Sequence, residues 1–96
     1  MNLSAHLARY GHGPLDRHQS INERLDSITL HADSTAAEVR KAVEALTDYF
    51  RISCGCSSRA AARRYARYSV RDIVGSLRCS AGLPFDYNTV SALVGG

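Results

Sequence analysis

Ninety-six residues with a hydrophobic content of 45% describe one small domain, residues 1–96, with a single modest core. No apolar run approaches the roughly 20 residues of a membrane-spanning helix, and the N-terminus lacks the apolar segment of a signal peptide. The three cysteines are an odd number, which excludes a complete disulfide framework and favours reduced thiols. We therefore expect a cytoplasmic protein with no membrane contact.

The net charge of +3 conceals an uneven distribution along the chain. Residues 1–50 carry five basic and seven acidic groups, a balance of −2, whereas residues 51–78 carry seven arginines and one aspartate, a balance of +6. Such asymmetry is typical of proteins that bind nucleic acids or acidic partners. Eleven of the twelve cations are arginine, the residue best suited to bidentate contacts with phosphate or carboxylate.

The first thirty residues predict two helices. Ser4 is the predicted cap of a short helix that ends near Tyr10, and Pro14 suits the first turn of a second helix. A narrow apolar stripe of the kind found at helix–helix seams follows, and it consists of His18, Ile21, Leu25 and Ile28. We predict that a homodimer forms through this seam, within residues 15–30.

The third predicted helix has the clearest pattern in the sequence. Thr35 and Glu38 have the spacing of a capping box, and Gly55 ends the helix. Apolar residues recur between them with the helical period, at Val39, Ala42, Val43, Leu46, Tyr49 and Phe50. Together with the second helix, this segment predicts an antiparallel helical hairpin over residues 14–56.

The stretch SSRAAARRYARY, residues 57–68, predicts a helix with one basic face and one alanine–tyrosine face. At 100° per residue its four arginines fall within an arc of about 140°, and both tyrosines fall on the opposite arc. From Val70 onwards the apolar residues shift to the arc of the arginines, and Ser69 and Asp72 have capping-box spacing. We therefore predict a break or a bend near Ser69, inside a basic helical segment that covers residues 57–78.

The remaining residues, 79–96, predict a loop and a short helix. Gly82 and Pro84 end the preceding helix, and Asp86 or Asn88 is the predicted cap of a last helix that runs through Val94. No segment alternates polar and apolar residues for long enough to form a sheet. The predicted fold class is therefore all-α, a small bundle of five or six short helices with a central helical hairpin.

The basic segment is the predicted partner-binding site. Guanidinium groups at about one per turn suit successive phosphates, and the tyrosines either pack inward or stack on a base. A solvated helix face is the alternative, although such faces usually mix charges and no acid lies between Asp48 and Asp72. The predicted site residues are Arg59, Arg63, Arg64, Arg67, Arg71, Arg78, Tyr65 and Tyr68.

Residues 69–94, SVRDIVGSLRCSAGLPFDYNTVSALV, follow the order of a capped helix, a glycine-containing turn and a second helix. This order resembles the helix-turn-helix half of winged-helix repressors, in which a YxTV stretch begins the recognition helix. The resemblance implies base contacts from Asn88, Thr89 and Ser91, and phosphate contacts from Arg71 and Arg78. Two ordinary packed helices are the favoured alternative, because the loop between them is long and the last helix carries no Arg, Lys or Gln.

The cysteines offer a second, weaker kind of site. Cys54, Cys56 and Cys79 together with a histidine would complete a tetrahedral zinc site, but their spacing is not that of a zinc finger or ribbon. Neighbouring arginines would lower the pKa of a thiol and make it reactive, so a redox role also stays open. We favour thiols with neither role, and we expect no metal or other cofactor.

No arrangement typical of an enzyme is readable in the sequence. The chain has no Ser-His-Asp or Cys-His signature and no glycine-rich phosphate loop, so we expect a binding protein without catalytic activity. The first hypothesis is a small regulatory protein that binds DNA or RNA through the arginine-rich helix. The alternative is an inhibitor or adaptor that docks the same arginines on an acidic protein surface, of the kind phages and plasmids encode, such as an anti-CRISPR.

Overall fold

The computed structural model describes residues 1–55, 57–83 and 87–95. Within these residues it contains five α-helices and no β-strand, which confirms the all-α prediction. The helices are α1 (Leu3–Arg9), α2 (Gln19–Ser27), α3 (Ala36–Ser53), α4 (Arg59–Ser80) and α5 (Tyr87–Leu93). None of them combines the length and the apolar character that a membrane crossing requires.

The pair α3–α4 is the centre of the fold. Arg59 contacts Asp48, and Arg63, one turn further along α4, contacts Glu44, one turn earlier in α3, so the two helices run antiparallel. The predicted hairpin placed α2 against α3, and these helices do touch, but α3 and α4 share the most extensive contact among the described helices. All six apolar positions predicted in α3 are buried.

The predicted boundaries of α3 are confirmed. The Glu38 backbone N–H donates to the Thr35 hydroxyl oxygen at 3.2 Å, and the Thr35 backbone N–H donates to the Glu38 carboxylate at 3.0 Å. These reciprocal bonds form the capping box and satisfy two N–H groups that the helix itself leaves unpaired. At the other end, Gly55 adopts the left-handed region, with φ of +60°, which favours glycine and turns the chain out of the helix.

The first two helices begin at other residues than predicted. Asn2, and not Ser4, caps α1, because its side-chain oxygen accepts from the Ala5 N–H at 3.2 Å. Pro14 does not open α2, which begins at Gln19. The intervening turn is held by the Asn22 amide, which bonds both the N–H and the carbonyl of Leu15 at 2.9 and 2.8 Å.

The apolar stripe of α2 packs against the core of its own chain. Leu25 is buried, Ile21 and Ile28 are half-buried against the core, and His18 occupies the N-cap position. The stripe therefore closes the bundle from one side, and a homodimer through it stays a prediction.

The helix α4 is uninterrupted from Arg59 to Ser80, so the predicted break near Ser69 is wrong. Ser69 lies within the helix, where its backbone N–H is already part of the helical ladder. Five of its six buried positions form one stripe at steps of three and four residues, namely Ala62, Ala66, Val70, Ile73 and Val74, and the sixth, Gly75, lies outside it. The prediction failed because it placed the alanines on the face of the tyrosines, whereas their small side chains begin the stripe that the larger residues continue.

The C-terminal helix α5 covers the end of the bundle. Val90 and Val94 are buried in the same core as the α3 and α4 side chains. Asn88 lies inside α5 and is therefore not its cap, and Asp86, the other predicted cap, lies outside the described residues.

The central position of Leu46 generates a stability prediction. Its side chain is fully buried in the core. Leu46→Ala should therefore lower the free energy of unfolding, measured by urea denaturation, by about 2–5 kcal/mol. Ile52→Ala is the matched control on the same helix, because Ile52 is 43% exposed and should cost far less. Equal losses for the two variants would contradict the assignment of the core.

Candidate functional site

Two of the predicted partner-binding arginines are used inside the fold. Arg59 donates to Glu44 at 2.7 Å and to Asp48 at 2.8 Å, and Arg63 lies 3.1 Å from Glu44. Arg24 of α2 donates to the other oxygen of Asp48 at 2.8 Å. This network of two acids and three arginines connects α2, α3 and α4. Its acidic members come from α3 and neutralise the N-terminal part of the basic segment.

The environment of Asp48 determines how this network responds to pH. Burial by itself would raise the pKa of Asp48, but hydrogen bonds from Arg24 and Arg59 outweigh it and hold the pKa below its ordinary value of 3.8. The contribution of Asp48 to stability is therefore complete above that value. It is lost as the pH falls through the lower pKa of the folded state.

Replacing Asp48 tests the network. We expect Asp48→Asn to lower the free energy of unfolding by about 1 kcal/mol at pH 7, because partly exposed ion pairs contribute little individually. The difference from wild type should vanish in strong acid, where wild-type Asp48 is also protonated. Asp26→Asn, which changes an exposed carboxylate outside the network, should have little effect at either pH. A loss for Asp48→Asn that persisted at low pH would contradict the ion-pair role.

The other arginines of α4 lie together on one side of the helix, where Arg64 is exposed and the rest are half-buried. At 100° per residue, the four fall within about 60° of one another and span about 21 Å along the helix axis. We call this surface the arginine ridge, and it consists of Arg64, Arg67, Arg71 and Arg78. It is flanked on one side by the buried stripe and on the other by the two tyrosines.

Arg64 and Arg67 carry the ridge charge that the described part of the chain does not neutralise. Neither makes an ion pair with a described residue. Arg64 is exposed, whereas the Nε atom of Arg67 is buried and has no hydrogen-bond partner. The stem of Arg67 therefore lies against the protein, and its side chain is more restricted than that of a fully solvated arginine.

The side chains of Tyr65 and Tyr68 are exposed to solvent. They are 58% and 54% exposed, so the alternative in which they pack inward is wrong. The guanidinium carbon of Arg71 lies 5.2 Å from the centre of the Tyr68 ring, in cation–π contact. The structure thus places exposed aromatic rings directly beside the arginine ridge.

A groove that we did not predict from the sequence lies on the side of Tyr65 away from the arginine ridge. It has a volume of about 620 Å³, and its walls come from the loop after α1, the end of α3 and one side of α4. The lining residues are His12, Phe50, Cys54, Ser57, Ala61, Tyr65 and Ser69. The last four recur at steps of four residues, which is the one signal of this surface that the sequence contains.

The loop after α1 completes this groove through a long-range contact. The Tyr49 hydroxyl donates to the Gly13 carbonyl at 2.7 Å and holds the loop against α3. The His12 ring then packs edge-on against Phe50, with 6.2 Å between the ring centres. A second, smaller groove adjoins it, shares His12 and Phe50, and is bordered by Asp72.

The resemblance to a helix-turn-helix has little support in the geometry. Its first helix does not begin at Ser69, because α4 is continuous, and its second helix, α5, is only seven residues long. Asn88 and Thr89 are exposed and Ser91 is half-buried. The predicted base-reading residues thus lie on a short helix that carries no basic side chain.

The cysteines do not converge. Cys54 follows α3 and Cys79 lies near the end of α4, about 30 Å apart at 1.5 Å per helical residue. Both are exposed free thiols, and Cys56 lies outside the described residues. No group of three histidine, cysteine or acidic side chains suited to a metal ion occurs among residues 1–55, 57–83 and 87–95. Since Cys54 and Cys79 are so far apart, the three cysteines cannot share one metal ion.

The candidate functional surface therefore consists of the arginine ridge, the exposed tyrosines and the groove.

No protein-family model, no curated protein and no solved structure matches this chain.

Proposed function

We propose that this protein is a non-enzymatic regulator that binds a nucleic acid through the outer face of α4. One observation carries the proposal: Arg64 and Arg67 have no ion-pair partner among the described residues, and the exposed Tyr68 and Tyr65 follow the ridge around α4, at about 40° and 100° from Arg64. Phosphates pair with guanidinium groups, and bases stack on aromatic rings. A single face that supplies both is suited to a partner that carries both.

The internal ion pairs sharpen this proposal. Arg59 and Arg63 lie against Glu44 and Asp48, so they have less charge to offer a partner than the sequence suggests. What is left is a shorter surface centred on Arg64 and Arg67, away from the acidic side chains of α3. The nearest acid on this side of α4 is Asp72, which lies past Tyr68 around the helix and outside the arc of the ridge.

An acidic protein surface is the alternative partner. Arginine and tyrosine are the residues most enriched at the energetic centres of protein–protein interfaces, so the same face would also suit an inhibitor or adaptor. The two partners differ in how binding depends on salt. Phosphate contacts release counterions and weaken linearly on a log–log salt plot, whereas buried arginine contacts with a protein depend on salt chiefly through the rate of encounter.

The double substitution Arg64→Ala/Arg67→Ala tests the proposal. We expect the wild type to bind oligonucleotides at low salt, and the variant to bind all sequences more weakly. The slope of log affinity against log salt should flatten by about 1.4 to 1.8 units, at 0.7 to 0.9 per lost phosphate contact. Affinities are measured by fluorescence anisotropy at several salt concentrations.

Arg40→Ala is the matched control, because Arg40 is an exposed arginine on α3, outside the ridge. It should leave the affinity and the salt slope nearly unchanged. A wild type that binds neither DNA nor RNA at low salt would overturn the proposal and leave the acidic protein surface as the leading candidate. Equal losses for the control and the double variant would mean that net charge, and not this face, governs binding.

A further inference from the structure

We infer that the nucleic acid is single-stranded and that the groove beside Tyr65 receives an unpaired base. This inference rests on the proposed function, because it assumes that phosphates lie on the arginine ridge. It gives the groove a role in binding, which contacts between phosphates and the ridge would not by themselves require.

The order of surfaces around α4 is the first argument. With 100° per residue and Arg59 at zero, the ridge occupies about 80° to 140°, Tyr68 lies at about 180° and Tyr65 at about 240°. The wall of the groove comes next around the helix, because Ala61, Tyr65 and Ser69 lie between about 200° and 280°. A strand whose phosphates follow the ridge would therefore direct its bases across the tyrosines towards the groove.

The chemistry of the groove is the second argument. Among the described residues that line it there is no Asp, Glu, Lys or Arg. The rings of His12, Phe50 and Tyr65 form aromatic walls, and the hydroxyls of Ser57 and Ser69 offer hydrogen bonds. Its volume of about 620 Å³ lies within the range of small-molecule sites. An uncharged aromatic groove beside a cationic ridge matches a nucleotide, which joins an uncharged base to an anionic phosphate.

The charges at the far end of the groove agree with this orientation. Asp72 borders the adjoining groove and would repel a phosphate there. In the same place, burial and a smaller effect of Arg9 lower the pKa of His6, while Asp72 acts in the opposite direction without reversing the shift. The phosphates are thus favoured on the ridge and the uncharged base in the groove.

A duplex cannot use this arrangement. Paired bases are stacked within the helix, so none can enter a groove beside the phosphate contacts unless the duplex opens. Single strands expose the faces of their bases and bind to surfaces that alternate cationic and aromatic side chains. The exposed Tyr65 and the uncharged groove therefore favour a single strand over a duplex.

The test compares a single-stranded oligonucleotide with a duplex of the same sequence, using wild type, Tyr65→Ala and Tyr65→Phe. We expect wild type to bind the single strand more tightly. Tyr65→Ala should weaken single-strand binding by about five- to a hundredfold, the loss expected for one stacked base, and leave duplex binding unchanged. Tyr65→Phe keeps the ring and should bind like wild type.

Cys54 provides an independent measurement, because it is an exposed thiol in the groove wall. A bound single strand should slow its alkylation, followed by mass spectrometry of the Cys54 peptide, whereas the duplex should not. Binding that depends on Arg64 and Arg67 but is equal for both nucleic acids, insensitive to Tyr65→Ala and without protection of Cys54, would overturn this inference alone. Absence of any nucleic-acid binding by wild type would instead overturn the proposed function.

Discussion

The antiparallel pairing of α3 and α4 determines every other feature of this protein. It requires α4 to present one continuous apolar stripe over about three and a half turns, from Ala62 to Val74. Once that stripe faces α3, the position of each arginine on α4 follows from the helical period alone. Arg59 and Arg63 fall within the arc of the packed face, at its N-terminal end, and reach acids on α3. Arg64 and Arg67 fall beyond it and face outwards.

The same helix therefore uses arginine for two purposes. Near its N-terminus the guanidinium groups bridge to Glu44 and Asp48 and join neighbouring helices. Further along, Arg64 and Arg67 make no ion pair with a described residue, and the helical period places Tyr68 next to Arg64 around the helix. A count of charges along the chain cannot distinguish these purposes, because both sets belong to the same basic run.

Local signals in the sequence predicted the fold class and the central helix well. The Thr35–Glu38 capping box and the apolar repeat of α3 depend only on neighbouring residues, so they could be recognised before the fold was known. The predicted break in α4 was wrong because alanine is compatible with a buried or an exposed face, and only the contact with α3 decides between them. The roles of Arg59 and Arg63 were missed for a related reason, since their partners lie 11 to 19 residues earlier in the chain.

The groove could not be predicted, because it depends on the Tyr49–Gly13 contact between residues 36 positions apart. Only its α4 wall left a sequence signal, in the steps of four from Ser57 to Ser69. Long-range contacts of this kind specify most of the surface and leave little trace in local patterns.

The division of α4 into a buried side and an outer side also separates the residues that folding requires from those of the proposed binding face. Ala62 and Ala66 allow α3 and α4 to approach closely, so larger residues there would force the helices apart. The side chains of Arg64, Tyr65 and Tyr68 are not part of the core, so most substitutions at these positions would leave the core intact. Point mutations on the proposed binding face would therefore alter its chemistry while the bundle stays folded.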